Sequence, residues 1–142
     1  MGRVFKFRVW DKTSDEMLYQ DDFSRFEIDF LNKMIYLHMP SFYLGSLDYE
    51  KGIEAEIMQC TGIKDINKKY IYEGDICKVK YCDIEGNPYD LALEREVKWN
   101  GAGFRLYERT NTGELSSSLT TRDIYSLEVI GNIYEGVKDG LS

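Results

Sequence analysis

Histidine is almost missing from this chain: His38 is the sole one among 142 residues. It lies between Leu37 and Met39, just before Pro40, and a lone imidazole in an apolar run is more often packed or hydrogen-bonded than a base or a ligand. Cysteine is scarce as well. Cys60, Cys77 and Cys82 are odd in number and contain no CxxC pair, which argues against a disulfide scaffold and a structural zinc knot. They are expected to be free, partly buried thiols, and a Cys–His pair would need a proximity that spacing does not supply. No stretch reaches the apolar length of a membrane span. The start, MGRVFKFRVW, has basic residues but no long apolar region, so it is not read as a secretory signal. Gly2 does not make a lipidation site, because Lys6 stands where serine or threonine is wanted. There is no P-loop, dinucleotide fingerprint, zinc-ligand cluster or nucleophile elbow, and Gly101-Ala102-Gly103 lacks the following helix of a phosphate loop. No catalytic residue, cofactor or metal ligand is therefore assigned, and a non-enzymatic cytosolic protein is expected.

What is present is acid and tyrosine. The 25 acidic and 18 basic residues give a net charge of −7, which favours solubility and weakens nonspecific attraction to a phosphate backbone. The 11 tyrosines suit strands and interfaces alike. A chain of this length makes one domain or two very small ones, burying roughly two-thirds of its unfolded surface.

Alternation dominates from the start. Val4 to Trp10 sets Phe5, Phe7 and Val9 against Lys6, Arg8 and Trp10, a half-buried strand with Arg8 and Trp10 on the solvent side. A polar turn, DKTSDE, leads to a short return strand at Met17–Tyr19. Phe26, Ile28 and Phe30 alternate with Glu27 and Asp29, and a second run, MIYLHM, follows a turn at Asn32-Lys33. The spacing of Phe26, Phe30, Met34 and Leu37 also fits a helix, but the alternation favours strands. Pro40 to Tyr49 reads as an aromatic loop, and Ile53, Ala55 and Ile57 as a strand. A first β module would then end near Met58, with 59–69 as a polar connector.

The stretch QCTGIKDINKKYIYEGDI organises the rest. Gly62, Asp65, Asn67 and Lys68 make a polar reversal between Ile63 and Ile71, a hairpin-like link rather than a helix. Gly74 marks a bend, and Glu73 and Asp75 read as turn carboxylates that accept backbone hydrogen bonds in water. Ile76–Tyr81 is a strand whose buried face is ambiguous. DIEGN and the residues to Asp90 form a loop, and Leu91–Trp99 and Phe104–Arg109 flank a hairpin turn at Asn100-Gly101. Thr110–Thr121 reads as a loop, Tyr125–Tyr134 as a closing strand, and Gly136–Ser142 as a fraying tail. The expectation is a mainly β protein: a small N-terminal β-sheet module over 1–58, and an SH3-like, partly closed β-barrel over 70–135, before a flexible tail at 136–142. The echo of IYEGDI in IYEGV is too short to carry a duplication.

Three blocks resemble the YopX family of phage and prophage proteins. They are Phe7, Arg8, Trp10 and Asp11; Met58–Lys64 with Tyr72–Ile76; and Glu128–Glu135. They span nearly the whole chain in the family's order. Lys68 stands where a glycine commonly completes the turn. The resemblance implies a phage-encoded β protein in the cytoplasm of a bacterial host, and it brings no established activity to any residue.

Two binding roles follow. The acidic balance and the tyrosines favour a protein partner or self-association into an oligomer. The alternative is nucleic-acid binding through Lys78, Lys98 and Arg105, with Trp99 and Tyr107 as stacking residues; Lys80, Arg95 and Arg109 complete the basic set. These positions have mixed parities, so one face need not collect them.

Overall fold

The structure is a computed structural model in which residues 6–22, 25–29, 31, 34–38, 50–109 and 116–137 are described. The described strands are β1 (Phe7–Asp11), β2 (Glu16–Tyr19), β3 (Arg25–Asp29), β4 (Met34–His38), β5 (Glu50–Lys64), β6 (Tyr70–Tyr72), β7 (Asp75–Cys82), β8 (Pro88–Trp99), β9 (Phe104–Glu108), β10 (Ser116–Ser118), β11 (Ile124–Asn132) and β12 (Gly136–Val137). One 3₁₀ turn, Gln20–Asp22, is the only helical piece among the described residues. The mainly β class read from the alternation is the class of the fold. The described residues form two compact units, one up to Gln59 and one from Cys60 onward, with the boundary inside β5.

In the first unit the strands run β2-β1-β5-β4-β3, all antiparallel. The ladder from Arg25↔His38 to Asp29↔Met34 excludes the competing helix, because its period of two cannot coexist with a helical stripe. The aromatic loop expected at Pro40–Tyr49 lies outside the described residues, as does the His38 side chain. Val9, Ala55 and Met58 are buried. The DKTSDE turn is organised by Asp11, whose carboxylate accepts from Thr13 N at 2.9 Å and Ser14 Oγ at 2.8 Å, while Asp15 takes a φ of 55°. One reading needs correction. Arg8 is buried at 2% exposure and Trp10 is half-buried, so β1 is covered on both faces.

The second unit begins within β5, which does not stop near Met58 but extends to Lys64. β6 folds back on it through Cys60↔Tyr72 and Lys64↔Tyr70, so only Asp65–Lys69 is turn. Lys68 holds the left-handed φ of 65° that a glycine would take without strain. Lys68→Gly is therefore expected to stabilise the fold by roughly 0.5–1 kcal/mol, the left-handed strain relieved outweighing the added freedom of the unfolded chain. Urea unfolding that shows a loss instead would contradict this account of the turn.

The main sheet of this unit has the order β10-β9-β8-β7-β11-β12 and is antiparallel throughout. Its inner face is set by register: Cys77 and Val79 on β7 lie level with Val129 and Leu127 on β11, and Val97 on β8 with Leu106 on β9. Ile71 and Leu119 join them in one apolar cluster. The ambiguity of β7 is resolved by burial on both parities at its start, where Ile76 and Cys77 are each fully buried. The Asn100-Gly101 hairpin forms as read. Asn100 Oδ1 accepts from Ala102 N at 2.9 Å and Gly103 N at 3.1 Å, with Gly101 at a φ of 91°. Two loop readings change. Pro88–Asp90 belong to β8, and Ser116–Ser118 form β10 with Leu119 buried, while 110–115 lie outside the described residues. The closing strand ends at Asn132; Gly136 and Val137 pair back on it as β12, and 138–142 are outside the described residues.

Candidate functional site

The motif-like residues of the organising stretch turn out to be staples. The Asp65 carboxylate accepts from Asn67 N and Lys69 N at Oδ1, both at 2.9 Å, and from Val129 N at Oδ2, also at 2.9 Å. It thus closes its own turn and clamps that turn to β11, where Ile66 N also donates to Leu127 O at 2.8 Å. Asp75 Oδ2 accepts from Tyr72 N at 2.7 Å. Its role as a turn carboxylate holds, but at 1% exposure it is not in water. Gly74, at a φ of 88°, donates its N–H to Val97 O and accepts from Ile133 N, so the bend joins β8 to the end of β11. Sequence spacing alone does not reveal these main-chain donors.

Burial pushes the Cys77 thiol from 9.0 up to about 12, with Asp75 and Asp65 pushing the same way and Lys69 opposing. A nucleophilic role needs the thiolate, so this cysteine is inert. Cys60 is also buried, whereas Cys82 is half-buried, its Sγ 3.4 Å from Arg122 O. Near pH 8 a maleimide reagent is expected to label Cys82 alone in the native protein and all three thiols in denaturant. Because the folded value of Cys77 is raised, its contribution to stability is intact below about pH 9 and is lost as pH rises towards 12. Rapid native labelling of Cys77 would contradict its placement. Among the described residues no group of three His, Cys, Asp or Glu is placed to hold a metal ion. No helix there is long and apolar enough to cross a membrane.

The basic candidates are partly gathered. Lys78, Lys98, Arg105 and Tyr107 share the outer face of the main sheet by register. Lys98 lies directly opposite Arg105, and its Nζ is 5.4 Å from the Tyr107 ring centre. Lys78 is elsewhere in the pattern, with Glu128 on one neighbouring strand and Glu94 on the other. Glu94 also meets Arg109 at 3.2 Å, so this row alternates in sign. Trp99 has the inner parity, packs edge-on against Phe104 with ring centres 5.0 Å apart, and stays 51% exposed.

A feature missed at the sequence level is the β7–β8 hairpin tip. Asp83 Oδ1 accepts from Glu85 N and Asn87 N, and Asp83 and Asn87 pair through Asp83 N and Asn87 O, so the tip is internally bonded. Every residue from Ile84 to Leu91 is exposed. Ile84 is 97% exposed, Leu91 66% and Tyr89 55%. A run reading DIEGNPYDL looks like an ordinary turn; only the extension of β8 to Pro88 makes it an arm. Elsewhere in the same unit, a shallow groove of about 300 Å³ runs between Lys64–Ile66 and Ile124–Leu127.

A family model described as YopX protein matches residues 6–138. Among solved structures, protein EF1440 from Enterococcus faecalis is similar over 94% of this chain and 96% of its own, with 26% identity and a TM-score of 0.58. Protein yopX from Bacillus subtilis is similar over 91% of this chain and 92% of its own, with 21% identity and a TM-score of 0.60, a likeness of fold. None of the curated proteins matches.

Proposed function

Since this chain belongs to the YopX family, we propose that it is a non-enzymatic phage or prophage accessory protein of the host cytoplasm that acts by binding protein. The observation that carries this reading is the arm. Three large apolar side chains, Ile84, Tyr89 and Leu91, stand in water on one internally bonded hairpin. Exposed apolar residues gathered on one element mark interaction surfaces, where scattered ones do not. The net charge of −7 supports protein over nucleic acid as the partner.

Nucleic-acid binding keeps one observation in its favour, the juxtaposition of Lys98, Arg105 and Tyr107. Two cations directly opposite on paired strands repel, and an anion between them relieves that. The alternating row through Lys78 limits such a surface to a small patch.

A photo-crosslinking residue placed at position 84 or 91 in cells separates the readings. Arm positions are expected to give discrete protein adducts, and the exposed position 12 in the first unit is not. Equal adducts at all three positions, or purified protein that carries nucleic acid at low salt and sheds it at high salt, would overturn the protein-binding reading.

A further inference from the structure

We propose that the partner of the arm is a second copy of this chain, with the β7–β8 hairpin of one copy seated in the groove between Lys64–Ile66 and Ile124–Leu127 of another. The inference rests on the protein-binding reading above and adds the occupant. Two complementarities point to it. The first is apolar: the arm presents Ile84, Tyr89 and Leu91, and the groove is lined by Ile66, Ile124, Tyr125 and Leu127. In the isolated chain Ile66 is 64% and Tyr125 56% exposed, so both surfaces leave apolar area in water. A volume of about 300 Å³ has room for large apolar side chains such as those of the arm.

The second is charge. Between Tyr81 and Leu93 the arm carries Asp83, Glu85 and Asp90 and no basic residue. The groove is lined by Lys64, and Lys68 and Lys69 stand in the turn that continues from its Ile66 wall; all three are exposed, while the carboxylate of Asp65 is turned to main-chain donors. Arg122 and Asp123 beside the groove cancel, and Glu128 stands opposite Lys78. For a chain of net charge −7, association with itself requires such local pairing of opposite signs to overcome the overall repulsion.

Placement in the fold fits. Tyr81 pairs with Ile124, and Cys82 N donates to Asp123 O at 2.7 Å, so the arm is rooted beside the strand that walls the groove. The groove opens on the far edge of β11 from β7, where Ile66 N meets Leu127 O. In its own chain the arm leaves the groove open. Arm and groove are different surfaces, so the contact closes either by reciprocal exchange between two copies or as a ring.

The test is light scattering during size-exclusion chromatography of the full chain across concentration and salt, with circular dichroism as the check on folding. Wild-type protein is expected to form one discrete oligomer that weakens as salt rises. Leu91→Asp is expected to give monomer, as is the pair Lys64→Glu with Lys69→Glu. Combining that pair with Glu85→Lys and Asp90→Lys is expected to restore the oligomer, which nonspecific damage would not. An oligomer indifferent to arm and groove variants overturns the proposal, as does wild-type protein monomeric at ~0.1 mM, a weak limit for specific association. In either case protein adducts at position 84 to a different protein would leave the protein-binding reading standing; their absence would remove both.

Discussion

Asp65→Ala is expected to destabilise the protein by about 3 kcal/mol. Its carboxylate satisfies three main-chain donors, and the three are not equal. Asn67 and Lys69 lie in an exposed turn, where water can replace the lost acceptor at little cost. Val129 N lies within β11 in a partly buried bond, and its donor is harder to solvate. A hydrogen bond to a charged acceptor contributes roughly 1.5–3 kcal/mol, and stranding a partly buried donor adds to the loss. Asp65→Asn should recover only part of this, because one of its two edges becomes an amide donor facing another donor. Equilibrium urea unfolding of the two variants measures the difference; a loss below ~1 kcal/mol for the alanine variant would mean that water replaces all three bonds.

Leu106→Ala should cost a similar or larger amount, in the range of about 2–5 kcal/mol for truncating a buried leucine. Leu106 is fully buried on β9, level with Val97 across one ladder and with Ser117 across the other. Cluster members on β7 and β11 surround the same space, and sheet strands tied on both sides cannot collapse into the hole. Leu106→Met, which keeps the volume, should cost less than ~1.5 kcal/mol. Trp99→Ala removes a larger side chain that is half in water, and should cost less than Leu106→Ala for that reason. Thermal unfolding that ranks Trp99→Ala above Leu106→Ala would relocate the core.

Strand identity was legible in this sequence because alternation is a local property. The β3–β4 hairpin, the Asn100-Gly101 turn and the closing strand each announce themselves within a few residues. What alternation does not report is whether a second layer covers the polar face. Arg8 sat on the parity that looked solvated and is buried, and Asp75 was read as a turn carboxylate in water and is buried too. The end of β5 was missed for a related reason: Gly62 and the polar residues after Gln59 resemble a linker, yet β6 arrives to pair with them. Leu119 was lost among serines and threonines that look disordered until β10 is seen against β9. Of the alternative basic surface, the residues could be named from the sequence but their neighbours could not, since Glu94 and Glu128 stand beside Lys78 only through cross-strand register. The arm was invisible because exposure of apolar residues is a statement about the rest of the chain.

Gly74 and Asp65 have a consequence for how the protein is made. The partner of Asp65 Oδ2, Val129, lies 64 residues downstream, and the donor to Gly74 O is Ile133. The ladders that join β1 to β4 with β5 close early in the chain. By contrast β7 has β8 on one side, and waits for β11, the second-last of the described strands, on the other. At synthesis rates of about 5–20 residues per second, the stretch from Asp83 to Asn132 takes roughly 3–10 s to emerge. For that interval a growing chain carries one bare edge of β7 beside a core that still lacks Leu127 and Val129. A ribosome halted before Ile124 therefore releases a first unit able to complete its pairing and a second with an open strand edge, the kind of surface that chaperones hold and proteases clear.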